Sequence, residues 1–176
     1  MAVLKIITAP NSLLSQVSNE IANINDDIKK LATDMMETMY EENGIGLSAV
    51  QIGVLKRIIT IDVTQERDAS GNLLQKGEQF VMINPKIINA SKEKSDFEEG
   101  CLSFPREHVK ITRPSEITVK FTNLEGKEEE IKTNGLLSVC IQHEIDHLNG
   151  ITISNYISHL RKEMMMKRLL KYKKTF

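Results

Sequence analysis

The chain has 176 residues, 40% hydrophobic and 27% charged, a balance that excludes a disordered tail protein or a helical membrane protein and fits a globular domain. Two cysteines, Cys101 and Cys140, without a repeated spacing argue against a disulfide framework and for a reducing, cytoplasmic setting. The net charge of −1 hides an asymmetry: residues 161–176 sum to +6 and the rest to −7, which directs the tail rather than the body toward a polyanion.

The first apolar run is cut off by Pro10, too short for a signal peptide, and no later run is long enough to span a bilayer. Asn25 or Asp26 can cap a helix reaching residue 42, with Ile28, Leu31, Met35 and Met39 as its apolar stripe and Asn43-Gly44 as its stop. Strands rich in Ile, Val and Thr are predicted over 57–63, 79–84, 108–112, 116–122 and 128–132, the last two joined by a turn at Asn123-Leu124-Glu125-Gly126. The polar stretch 65–78 reads as a surface loop. Asn134-Gly135 and Asn149-Gly150 bracket a helix over 136–148, and a basic helix closes the chain from about 154 to 176. No repeat or linker divides residues 1–176, so one domain is expected. Without regular β-α-β alternation the class is α+β: antiparallel β-sheets packed around a buried central helix, followed by a C-terminal helix.

That central helix carries QHEIDH, residues 142–147, in the pattern His-Glu-x-x-His. Four residues apart, His143 and His147 stack one turn above each other and offer two imidazoles to one metal ion. The helix is apolar around most of its circumference, so these groups are expected in the interior. A buried Glu144 carboxylate without a partner is costly, and a metal with its water supplies one. A catalytic site of this kind needs a third protein ligand. A metzincin-type third histidine fails, because Ile153 stands at its position, and Glu163 lies in the basic tail without a supporting motif. Cys101, in EEGCLSFP (residues 98–105), sits in an unusual context for a packing cysteine. Cys140, three residues before His143 on the same helix, has poor geometry for a tetrahedral site and is assigned to the pocket or core. By spacing alone the metal would be zinc.

EGCLS, HEIDH and GIGLSAVQ (residues 44–51) together resemble the three motifs of peptide deformylase, and the likeness extends over most of the chain to the helical tail of the bacterial type 1 branch. The resemblance implies that Cys101, His143 and His147 bind the metal and that Glu144 is general base and acid. It implies that the Gln51 amide and the Leu102 backbone N–H face the oxyanion. Backbone near Gly46 would hold the substrate as an added strand. The family uses Fe²⁺, and Zn²⁺, Ni²⁺ or Co²⁺ can substitute. Its substrates are N-formylmethionyl nascent peptides. The apolar stripe of Leu136, Val139 and Cys140, with Ile45 across from it and Gly100 beside the metal cysteine, is expected to line the methionine pocket. The basic tail fits a ribosome contact.

Two departures stand out. Ser48 replaces a usual alanine and is expected to be harmless. His108 occupies the place of an arginine that contacts substrate in the family, with Arg106 nearby. Arg113 is expected to brace Asp146 behind the metal helix. Two other functions compete: a different HExxH metallopeptidase, and a ribosome- or RNA-binding protein with a structural metal.

Overall fold

The structure, a computed structural model, describes residues 2–173; Met1 and residues 174–176, the end of the expected 154–176 helix, lie outside the described residues. Helix α1 (Asp26–Glu41) starts where Asn25 Oδ1 accepts the N–H of Ile28 at 3.1 Å, with Asp26 and Asp27 at its positive end. It stops where Asn43 turns left-handed at φ 58°. The Asn43 N–H then returns to the Tyr40 carbonyl and the Gly44 N–H to that of Met39, the Schellman pattern. This stop delivers residues 44–46 to the site described below.

Among the described residues, nine strands follow this helix. β1 (Gly46–Ser48), β2 (Ile58–Ile61), β5 (Phe80–Ala90), β8 (Glu116–Thr122) and β9 (Glu128–Asn134) form one antiparallel sheet in the order β1-β2-β5-β8-β9. β3 (Glu66–Arg67) pairs with β4 (Leu73–Gln75), and β6 (Lys94–Cys101) pairs with β7 (Phe104–Pro114). Helix α2 (Gly135–Leu148) packs Ile141, Ile145 and Leu148 against Ile59, Ile61, Met82, Val119 and Phe121. On the other side, Ile58 and Ile83 join Met35, Met36 and Met39 of α1. The period of two along β2 thus divides its side chains between two cores, and all four residues are buried. In a third core, Phe104, Val109 and Ile111 of β7 meet Met165 and Leu169 of helix α3 (His159–Lys173).

The α+β expectation holds, and the 116–122 strand has the expected bounds. Several elements differ. β6 has the sequence KSDFEEGC, poor in strand formers, and forms because its backbone completes a ladder with β7. The 65–78 loop contains the β3–β4 hairpin, tied down by Arg67, which donates to Asn43 Oδ1, the Gly71 carbonyl and the Tyr40 carbonyl. The last helix begins at His159 rather than near 154, because residues 153–156 form a 3-10 turn held by a Thr152–Asn155 capping box. Even the polar Ser138 and Gln142 of α2 are buried, with Gln142 donating to the Pro114 carbonyl at 3.1 Å.

α2 ends in the same way as α1. Gly150 N–H returns to the His147 carbonyl and Ile151 N–H to that of Asp146, with Gly150 at φ 73°. A Cβ on Gly150 would lie 2.6 Å from the Ser15 carbonyl oxygen. Gly150→Ala combines this clash with a left-handed backbone, so it should destabilise the fold by about 1 kcal/mol or more in a urea melt.

Candidate metal centre and active site

α2 places the His143 and His147 rings with centroids 5.0 Å apart and nearly edge to face. Cys101, the last residue of β6, brings its sulfur to 3.2 Å from His147 Nε2. One ligand atom from each of Cys101, His143 and His147 lies within 4.8 Å of the others. The strand end and the helix thus bring together three donors that are 42 or more residues apart in the chain, apart from the two histidines. A thiolate with two imidazoles suits a borderline divalent ion and leaves a fourth position open.

The surroundings favour a cation here. His143 Nδ1 donates to Glu99 Oε2 at 2.9 Å, which leaves its Nε2 lone pair for a metal. Burial, reinforced by the charges of His143 and Arg113, holds the His147 imidazole well below its ordinary pKa, so it stays neutral and able to ligate. Burial would pull His143 down as well, but Cys101 and Glu99 outweigh it and raise its pKa. The negative charges of Cys101 and Glu99 thus favour a cation at His143 Nε2, a proton or a metal ion in its place. Glu144 is buried with Oε2 lacking any partner, and burial lifts its carboxyl to about 7. An orphaned carboxylate oxygen beside a Cys-His-His donor set fits a site built for an ion and its water.

Gln51 stands on the 3-10 turn after β1. Its Oε1 accepts from both the Ser48 backbone N–H and the Ser48 hydroxyl, each at 2.9 Å. The amide cannot rotate without losing both bonds, so Nε2 points at Cys101 Sγ (3.6 Å) and Ser103 Oγ (3.3 Å). The backbone N–H at position 48 would hold this orientation with alanine as well, and the Ser48 hydroxyl adds a second bond to it. Gly46 lies so close to α2 that a Cβ would sit 2.6 Å from both Cys140 Sγ and Glu144 Oε1. At Gly100 the fit is less strict, since a Cβ would lie 3.2 Å from the exposed His108 ring, which can move. Cys140 donates weakly to the Ile45 carbonyl at 3.6 Å, and burial pushes its thiol pKa up.

A cavity of about 510 Å³ opens on these groups. Ile45, Gly46, Gln51, Gly100, Cys101, Leu102, Leu136, Val139, Cys140, His143 and Glu144 all line it, and His147 lies behind them at 1% exposure. Ile153 is buried in the third core and Glu163 points outward beside His159, so neither competes with Cys101. Sequence reasoning missed Glu99, whose only signal is its place two residues before the cysteine. It also missed Glu107 and gave Phe104 and Pro105, the end of EEGCLSFP, no place in the cavity that they line.

The expected Arg113–Asp146 pair is present at 2.9 Å, but Arg113 binds Glu99 more fully. Nε reaches Oε1 at 2.6 Å and Nη2 reaches Oε2 at 3.0 Å. Tyr156 donates to Asp146 Oδ2 at 2.5 Å and closes the set.

Two histidines on a buried helix, a cysteine on a strand end and a carboxyl poised near neutrality define a metal-dependent hydrolase site. The sequence profile described as polypeptide deformylase matches residues 3–163. The chain is 45% identical to the peptide deformylase of Rhizobium meliloti over 99% of its own length and 97% of that relative's. The crystal structure of peptide deformylase from Ehrlichia chaffeensis superposes with a TM-score of 0.90 at 41% identity, covering 99% of this chain and 98% of that one. The peptide deformylase of Pelagibacter ubique is 44% identical over 98% of this chain and 96% of its own. This chain belongs to the peptide deformylase family.

Arg113→Leu should cost about 3–5 kcal/mol of stability, because it takes the guanidinium from the buried Glu99 carboxylate, leaving it the His143 bond, and also removes the pair with Asp146. Burial raises the Glu99 pKa, but the bonds from His143 and Arg113 outweigh it and hold the group below its ordinary value. Its stabilisation is therefore present above the ordinary carboxylate pKa and lost as pH falls through the depressed one. Without Arg113 the folded pKa rises, so acid unfolding should begin at higher pH. Urea melts across a pH series, with chelator competition for the ion, check both effects.

Proposed function

We propose that this chain removes the N-formyl group from the initiator methionine of nascent polypeptides and releases formate. The observation that carries the reading is the convergence of Cys101, His143 and His147 beside the unpartnered Glu144 Oε2. These three residues would hold one divalent ion, Fe²⁺ by family resemblance, with Zn²⁺, Ni²⁺ or Co²⁺ able to take its place. When bound, that ion supplies Lewis-acid polarisation and lowers the pKa of water toward about 7.

The chain's own groups do the rest. Glu144, with a pKa of about 7, takes a proton from the attacking water and delivers it to the leaving amine nitrogen. Gln51 Nε2, held by Ser48, and the Leu102 backbone N–H donate to the oxyanion as it develops. The methionine side chain enters the slot of Ile45, Leu136, Val139 and Cys140, while the backbones of Gly46 and Gly100 flank the peptide. β1 is an edge strand, so the peptide can add alongside it. The reaction belongs in the cytoplasm, where nascent chains emerge; among the described residues no helix is long and apolar enough to cross a membrane.

Anaerobic purification with metal analysis and a formate assay tests the reading. One ion per chain and formate release from formyl-Met-Ala are expected, with Met-Ala left uncut. Glu144→Ala should keep the ion and lose at least about 10²-fold in rate. Cleavage of unformylated peptides, or an ion-loaded enzyme that releases no formate, overturns it.

The ribosome contact belongs to the outward face of α3. Met165 and Leu169 are core residues, so the helix is not a detachable tail and single charges are the right probe. Arg161 and Lys167 are exposed. Arg161→Gln and Lys167→Gln should each flatten the salt dependence of ribosome binding by about one unit of log–log slope. An unaltered slope removes the contact.

A further inference from the structure

The ladder between β6 and β7 breaks beside the metal cysteine. Gly100 pairs with His108, but Cys101 pairs with Phe104 instead of Glu107. Pro105, Arg106 and Glu107 therefore stand outside the ladder as a bulge in β7. Arg106 has φ 64°, a left-handed conformation that a non-glycine residue keeps only when its surroundings enforce it. All three residues of the bulge line the cavity, on the wall that β7 contributes.

The ladder no longer holds this segment, and the restraint comes from α3. Arg168 makes a bidentate pair with Glu107, Nε to Oε1 and Nη2 to Oε2, both 2.7 Å. The guanidinium of Arg106 lies over the Tyr172 ring, 4.7 Å from its centroid. Beneath both contacts, Met165 and Leu169 pack on Phe104, the residue where the bulge begins. Arg168 and Tyr172 are four residues apart and so grip adjacent points of the bulge from one stretch of helix. Neither lines the cavity, so their effect on it passes through Glu107 and Arg106.

We propose that Arg168 and Tyr172 are positioning residues for the part of the substrate peptide beyond the methionine. They hold the 105–107 bulge in the conformation that forms the outer wall of the cleft. The inference rests on the deformylation reading above and adds a determinant to it. The bulge belongs to β7 and the slot of Leu136 and Val139 to α2, so they are separate parts of the lining. A formyl dipeptide would then engage the slot, and a longer peptide would also reach the bulge. Loosening the bulge removes binding that the ground and transition states share, which raises KM more than it lowers kcat.

The test compares formyl-Met-Ala with formyl-Met-Ala-Ser-Lys on the metal-loaded full chain and its Arg168→Met and Tyr172→Leu variants. In each variant the KM ratio of tetrapeptide to dipeptide should rise roughly fivefold, the fold-change of about 1 kcal/mol of lost binding. The charge-swapped double variant Glu107→Arg/Arg168→Glu should recover part of that ratio. A ratio equal to the parent's in both single variants overturns the inference. Equal KM increases for both peptides with a lowered Tm also overturn it, since they mark a purely structural helix contact. Failure of the unaltered holoenzyme to release formate from either peptide is a separate outcome; it sinks the functional reading and this inference with it.

Discussion

A sulfur and two ring nitrogens, brought from distant parts of the chain to within 4.8 Å, are the constraint around which the molecule is arranged. Three donors this close, mostly buried, gather negative charge and lone pairs in an interior that otherwise favours neither. A cation resolves that conflict. The surrounding polar groups serve the same end: Glu99 orients His143, Arg113 neutralises Glu99, and Asp146 and Tyr156 hold Arg113. Each buried charge is answered by the next, out to the half-exposed Tyr156 ring.

The architecture supplies this site from separate directions. α2 is buried because a sheet lies on one side and the β6–β7 ribbon on another, so its histidines can be dry and fixed. The ribbon breaks register at Gly100 and Cys101, which turns the cysteine inward. The Schellman stop of α1 aims residues 44–46 along α2, and only glycine at 46 permits that approach. The 3-10 turn that follows presents Gln51 with its oxygen already engaged by Ser48. Its amide N–H₂ group is thereby held toward the donor set, the kind of fixed orientation that the proposed oxyanion contact requires.

The outer wall is less rigidly specified than the centre. Its left-handed Arg106 and off-ladder neighbours depend on α3 rather than on the strand they belong to. The C-terminal helix therefore has two distinct faces. Its inner face packs on Phe104 and contacts Glu107 and Arg106. Its outer face carries exposed basic charge.

Local chemistry made much of this readable in advance. The His-Glu-x-x-His spacing, the apolar girth of the helix that bears it, and the Asn and Gly stops at 43–44 and 149–150 are properties of a few consecutive residues, and they emerged as read. The choice of Cys101 over Ile153 and Glu163 was also legible, because it needed only residue identity and motif context. What the sequence did not determine alone depends on contacts between segments far apart in the chain. β6 is a strand because β7 lies beside it, since KSDFEEGC has little strand preference of its own. The Ser48 hydroxyl meets Gln51 because that side chain folds back onto it, and Glu99 is fixed because two partners from different elements converge on it. The bulge at 105–107 exists only where two strands fall out of step and a helix holds the excess, and pairing register is a property of the assembled sheet that no single segment carries.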